Sequence, residues 1–319
     1  MLRDHWREFP QVLNSIEQIP SAIRAALGLD LPKEAHIIHI YLIPQQRGFW
    51  EWFRDEAPRT DVFVLTSQEI LIGQENQDKT ITAARFKIED IVTFEVGTIL
   101  LRSWIKFKLA GNCPTKEITL EFETIFQRQF RHSILWLRHL LSHSSQSPEH
   151  AWRMNGEEHI KSLPLKFNNA ARNYWLLGES ALASCFIRPS TQRQPMYKRL
   201  FQTEIHSAAI VVSNEQVCVI NEQGGSSTSR WGQIWHFYSH DRIATCNIME
   251  MEKKHLWELR FSLKQPLSNS GPSSLKSSPE FADMAITFAP QQLSEVKHIL
   301  RVIETFQNRK FVAAQACEE

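Results

Sequence analysis

Apolar and polar positions alternate in short runs along most of this chain, which predicts β-strands. They shift to a three- and four-residue spacing in only three places, which predicts helices. The plainest run is Asp61-Val-Phe-Val-Leu-Thr-Ser-Gln-Glu-Ile-Leu-Ile-Gly-Gln-Glu75, two apolar strands about a polar turn. The chain says nearly the same thing again at Ser207-Ala-Ala-Ile-Val-Val-Ser-Asn-Glu-Gln-Val-Cys-Val-Ile-Asn221, with Thr66 and Ser213 at equivalent places (213 − 66 = 147). A repeat of that length predicts a duplicated domain rather than a solenoid unit, whose periods run roughly 20–50 residues.

Around this mark the chain reads in order. Trp6, Phe9, Val12, Leu13, Ile16 and Ile19 form a helical stripe, and Pro20 opens a second short helix ending near Gly28. Strands follow at 37–44, in the hairpin, and at 79–86, 91–96, 100–109 and 117–123; a helix at 125–142 closes the set. Residues 143–165 lack periodicity and read as a connection. The second half then retraces the first. Leu176-Leu-Gly-Glu179 answers Leu31-Pro-Lys-Glu34 and Pro189 answers Pro44, both 145 residues on. Phe237 stands 151 residues after Phe86, Phe261 stands 154 after Phe107, and Phe288 stands 166 after Phe122. The last jump falls on the Ser/Pro-rich stretch 264–279, an insertion that can bury little. Leu293, Val296, Leu300, Ile303 and Phe306 then form a closing helix.

Seven short strands and one helix, read twice, resemble the pleckstrin-homology-like superfold in its compact bacterial versions. The resemblance rests on the Leu-x-x-Gly-Glu-like lead-in at Leu176–Glu179, on the Thr turn of the hairpin, and on Ile88-Glu-Asp-Ile91, degraded to His240-Asp-Arg-Ile243 in the second copy. It implies an α+β, mostly β fold of two similar units, each about seven antiparallel strands in a strongly bent sheet or partly open barrel closed by a C-terminal helix. The expected partition is an N-terminal helical segment at 1–30, units at 31–145 and 174–308, a linker at 146–173 and a tail at 309–319. It also implies a non-catalytic binding module for proteins, peptides or lipid headgroups, although fold alone never fixes function.

Composition narrows this little. With 36 Lys and Arg against 35 Asp and Glu, the net charge of +1 gives no global field toward nucleic acid or a membrane. Five cysteines without a close pair predict a reducing, cytoplasmic setting, with Cys185 and Cys218 as small buried thiols. The halves differ most in the connection before each hairpin. In the second half it carries Arg188, Arg193, Lys198 and Arg199, which could clasp phosphates of an anionic lipid or phosphorylated ligand. Four such charges contribute only about 1 kcal/mol each at an anionic surface. In the first half it is charge-balanced and aromatic, and Trp50 and Trp52 are the partner-binding candidates. His132, His139 and His143, and the pair His236 and His240, share helical spacing but lack the carboxylate or thiol a zinc site needs, so no metal is expected. No phosphate loop or nucleophile motif is present, so no cofactor is expected either. The preferred reading is an adaptor for protein or peptide partners. Peripheral lipid binding is the alternative, and an enzyme with a site between the units is the third.

Overall fold

The computed structural model describes residues 10–28, 36–45, 59–76, 78–110, 117–142, 156–176, 178–189, 206–222, 232–251, 256–264 and 282–316. These residues are mostly β, in an α+β arrangement of three antiparallel sheets with helices laid on them. The first half comprises β1 (Gln11–Val12), α1 (Ser21–Leu27), β2 (Ile37–Pro44), β3 (Thr60–Thr66), β4 (Glu69–Glu75), β5 (Ile81–Lys87), β6 (Ile91–Ile99), β7 (Arg102–Leu109), β8 (Glu117–Glu123) and α2 (Gln127–Ser142). The second comprises α3 (Glu157–Lys161), α4 (Leu165–Asn173), β9 (Ala181–Ile187), β10 (Ala208–Ser213), β11 (Gln216–Glu222), β12 (Gly232–Ser239), β13 (Ile243–Met251), β14 (Leu256–Leu263), β15 (Ala282–Phe288) and α5 (Leu293–Ala316).

The echo seen in the sequence is also an echo of hydrogen bonds. In the β3–β4 turn, Thr66 Oγ1 donates to the Glu69 carbonyl (2.9 Å) and accepts from the Gln68 and Glu69 amides (3.2 and 2.9 Å). In the β10–β11 turn, Ser213 Oγ accepts from the Glu215 and Gln216 amides (3.2 and 3.0 Å) and lies 3.0 Å from the Gln216 carbonyl, its one proton being shared between that carbonyl and the Glu179 carboxylate. A hydroxyl is the group that can both donate and accept there, which is why the turn keeps Thr or Ser. The pairing irregularities recur too: β2 slips between Ile37 and His39 against β3, and β9 slips between Ala181 and Ala183 against β10. β6 slips between Ile91 and Thr93, and β13 between Ile243 and Thr245.

Register also corrects the alignment read from sequence. Ile70 of β4 faces Phe86 of β5, and the equivalent Val217 of β11 faces Tyr238 of β12. Tyr238, not Phe237, is therefore the counterpart of Phe86. Their neighbours agree: Phe86 lies 5.4 Å from Phe107, and Tyr238 stacks 5.5 Å from Phe261. Likewise Arg188, not Pro189, corresponds to Pro44, because Ile43 faces Asp61 as Ile187 faces Ala208. A one-residue slip turns each side chain to the opposite face. Phe237 thus lies on the opposite face of its sheet from Tyr238, where it stacks on Phe94 of β6, 4.8 Å between centroids, and meets Tyr174 edge-on.

Three further expectations change. Residues 11–19 are not helical: β1 pairs with β2, and a single 3-10 turn covers Ile16–Gln18. Trp6 and Phe9 lie outside the described residues; within 10–28 the α-helix that forms is the short one after Pro20, capped by Gly28 at φ 56°. Residues 156–173, placed in the linker, form α3 and α4; α3 packs on β9 and α4 on β10 and β11, and Ile160, Phe167, Ala170 and the following Trp175 are buried. They cover that sheet as α1 covers β4 and β5, burying Ile23 and Leu27 together with the preceding Ile19. Gly73 lets α1 come close, since a Cβ there would meet Ile23 at 2.5 Å.

Among the described residues, neither β2 to β8 nor β9 to β15 forms one bent sheet or a closed barrel. β1 to β5 form one sheet and β13 to β15 another, while the middle sheet runs β8-β7-β6-β12-β11-β10-β9 and belongs to both halves. The seam is β6 against β12, with Trp235 facing Val96 and Phe237 facing Phe94. Behind it α2 inserts Arg138, 2% exposed, against Glu179, 1% exposed. The guanidinium donates to both Glu179 oxygens (2.7 and 3.2 Å), to Gln216 Oε1 (2.9 Å) and to the Tyr174 carbonyl, and lies 4.8 Å from the centre of the Phe237 ring. Ser213 Oγ and the Leu176 amide complete Glu179 at 2.6 and 2.8 Å.

His236 at this seam faces Glu95, Nδ1 to Oε2 3.6 Å. Burial drives its pKa well down, to about 4, and outweighs the opposing pull of Glu95. An unfolded histidine titrates near 6.5, so between that pH and about 4 the unfolded chain binds more protons. Stability is therefore expected to fall as pH drops from about 6.5 toward 4. His39 and His139, also lowered chiefly by burial, act in the same direction. Urea midpoints at pH 7, 6 and 5 should show this decline, and His236→Gln should make it shallower; an unchanged slope excludes His236 as a source.

Candidate functional site

Two cavities bring polar groups together. One, of about 500 Å³, opens at the junction of the halves between the β3–β4 turn, the end of α2 and the start of β11. Its charges are already engaged. Arg85 holds Glu69 through two 2.8 Å bonds, Lys87 holds Glu89 at 2.9 Å, and Arg242 donates to the Glu89 carbonyl at 2.6 Å. Gln216 on its wall is engaged by Arg138.

The other cavity, about 350 Å³, lies at the open end of the first half, where β2 ends, β3 begins and β8 passes beneath. Its wall includes Asp61, the first residues of β3 being held between β2 and β4 by Ile43↔Asp61 and Asp61↔Gln74 pairing. Asp61 is 1% exposed. Its Oδ2 accepts from Gln45 Nε2 (2.8 Å) and Gln74 Nε2 (3.3 Å), and Gln74 also reaches the Thr119 carbonyl of β8 (3.3 Å). Its Oδ1 is buried and has no hydrogen-bond partner. Burial raises the Asp61 pKa; the Gln45 and Gln74 amides, the Glu75 backbone and the Arg59 charge oppose that rise.

Leaving such an atom unsatisfied costs roughly 1–3 kcal/mol, and the fold does not require it. The position equivalent to Asp61 is Ala208, facing Ile187 and Asn221 in the same register, buried and apolar. A methyl group thus stands in the second half where this carboxyl stands in the first. The open Asp61 oxygen accepts an N–H or O–H, and the surroundings favour a cation. Asp61, Glu121 and Glu123 line the cavity, and Glu75 and Asp78 line an adjoining more open depression, against Arg59 and Arg102.

Of the residues singled out in the sequence, Arg188 lies exposed at the end of β9, its amide donating to Gln292 Oε1 at 3.2 Å. Arg193, Lys198 and Arg199 lie outside the described residues, as do Trp50 and Trp52. The connection that carries the two tryptophans leaves at Gln45 and returns at Arg59, and both of those residues line the Asp61 cavity. His236 and His240 have separate partners, Glu95 and the Ser213 carbonyl. Among the described residues no group of three or more His, Cys, Asp or Glu is placed to hold a metal ion. Cys185, Cys218 and Cys246 are each pushed up to about 12 by burial, which keeps them as thiols. Among the described residues no helix is long and apolar enough to cross a membrane. No protein-family model matches the chain, and no curated protein matches it either.

Proposed function

We propose that this chain is a non-catalytic adaptor of two pleckstrin-homology-like units that binds a protein or peptide partner. The Asp61 cavity would receive a Lys or Arg side chain of that partner. The repeated turns, bulges and closing helices support the two-unit reading. The observation that carries the functional one is the buried, unpaired Oδ1 of Asp61 in a cavity whose rim is the base of the Trp50–Trp52 connection. A guanidinium or ammonium there would satisfy that oxygen by a charge-assisted bond, worth roughly 1.5–3 kcal/mol.

The test is titration of the protein with N-acetyl-arginine amide, followed by NMR. Millimolar binding is expected, with shifts around Asp61, Gln45 and Gln74. Asp61→Ala, which installs the residue of the second half, should weaken it by roughly tenfold or more, the equivalent of about 1.4 kcal/mol, while melting stays unchanged or rises. Equal binding by Asp61→Ala sinks the assignment of Asp61. In pull-downs Trp50→Ala should lose partners that Trp52→Ala loses less; retention of every partner removes the role of Trp50. Sedimentation with acidic vesicles, abolished by salt, would instead assign binding to Arg188, Arg193, Lys198 and Arg199.

A further inference from the structure

The seam inside the chain joins two strands that do not occupy equivalent places in their halves. β6 opens the three-strand run of the first half; β12 ends the four-strand run of the second. Their counterparts are β13 and β5. β5 pairs with β4 as β12 pairs with β11, and β13 pairs with β14, bulge included, as β6 pairs with β7. So the halves meet head to tail, and one head and one tail are left over. β5 ends the first sheet and β13 ends the third; among the described residues no strand lies beyond either.

We propose that copies of this chain join end to end by pairing β5 of one with β13 of the next, in the register that joins β12 to β6 within each. Edge-to-edge addition of a strand is a common mode of association, and an unpaired edge is its template. A joint between unlike surfaces does not close at two copies; it extends or forms a ring.

The backbone is oriented for it. On β5, the Thr80 carbonyl and the Ile88 amide both bond inward, to Asn76 (2.8 Å) and Gln68 (2.9 Å). Even-numbered residues thus face β4, and Ile81, Ala83 and Arg85 turn their amides and carbonyls outward. On β14, Lys264 bonds toward β13, to the Arg242 carbonyl at 2.7 Å, so Ser262, Arg260 and Glu258 do as well. Their partners Thr245, Asn247 and Met249 face inward, leaving Cys246, Ile248 and Glu250 outward. Transferring the seam's register from Trp235↔Val96 gives Ala83↔Ile248, and with it Ile81↔Glu250 and Arg85↔Cys246. Every one of these six residues is among those turned outward.

Exposure fits as well. β6 and β12, paired with each other, contain no exposed residue. β5 exposes four of its seven residues and β13 five of its nine. Cations on an edge strand ordinarily deter pairing, but Arg85 and Lys87 are held by Glu69 and Glu89 of the same chain. The Phe94–Phe237 stack has no counterpart across Arg85 and Cys246, so the joint between copies is weaker than the seam and depends on concentration.

Light scattering coupled to size exclusion tests this over a concentration series. The wild-type mass should rise above one chain in single-chain steps. Ala83→Pro removes one outward amide from β5, and Glu250→Pro one from β13; proline is tolerated where an edge amide faces solvent. Each variant alone should remain at one chain, yet an equal mixture should reach two chains and stop, since one good β5 edge meets one good β13 edge. Circular dichroism checks that each variant folds. Should a proline variant unfold, Ala83→Glu replaces it: set diagonally from Glu250, it should weaken assembly, and adding Glu250→Lys should restore it. A wild type at one-chain mass up to its solubility limit overturns the proposal. So does assembly by either blocked variant alone, or a mixture that fails to pair.

Discussion

Arg138→Ala is expected to destabilise the protein by about 3–5 kcal/mol, because it strands the buried Glu179 carboxylate without its counter-charge. Glu179→Ala should cost about as much for the converse reason. The pair is not simply additive stabilisation. Its attraction is offset by the cost of taking both charges out of water, so the double variant Arg138→Met with Glu179→Leu should recover much of the loss. Urea unfolding of the four proteins measures this. If either single variant falls within about 1 kcal/mol of wild type, the site is wetter than its 2% and 1% exposures imply. What the ion pair adds beyond energy is register. Glu179 is held by Ser213 of the second hairpin turn, and Arg138 by Gln216 beside it, so α2 of the first half is keyed to one position on the second.

Phe237→Ala is the second large effect, at about 3–5 kcal/mol. The ring is 3% exposed, stacks on Phe94, meets Tyr174 edge-on at 6.0 Å and lies under the Arg138 guanidinium. Removing it opens space at the seam beside the cavity of about 500 Å³ that Phe237 already lines. A double-mutant cycle with Phe94→Ala should give a coupling of about 0.5–1.5 kcal/mol; strict additivity would mean that the stack contributes only its buried area.

The hairpins, their offset and the closing helices were legible in the sequence, because local alternation and Thr66 or Ser213 in the turn suffice to mark them. The seam was not. Phe237 and Tyr238 are adjacent aromatics, and matching Phe86 to the nearer one conceals that Phe237 stacks on Phe94 of the other half. Val12 and Leu13 fit a helical stripe, and only the distant edge of β2 makes them extended. Arg138 looks like the polar face of an amphipathic helix until Glu179, 41 positions on, is brought against it. Asp61 reads as an ordinary residue at a strand's start; comparison with Ala208 in register is the signal that could have found it. Trp50 and Trp52 stand out by composition alone, and their connection is tied to the Asp61 cavity only through Gln45 and Arg59.

The shared sheet also sets a schedule for synthesis. Phe94 emerges well before Phe237 (237 − 94 = 143), and at 5–20 residues per second the interval is roughly 7–30 s. Throughout it the nascent first half presents β6 with Phe94 and Val96 uncovered, a long-range pairing still waiting for its partner. Chaperone engagement should therefore persist on ribosome-arrested chains ending near residue 200 and subside on chains long enough to release β12 from the exit tunnel. Equal engagement at both lengths would mean that the first half shields that edge by itself.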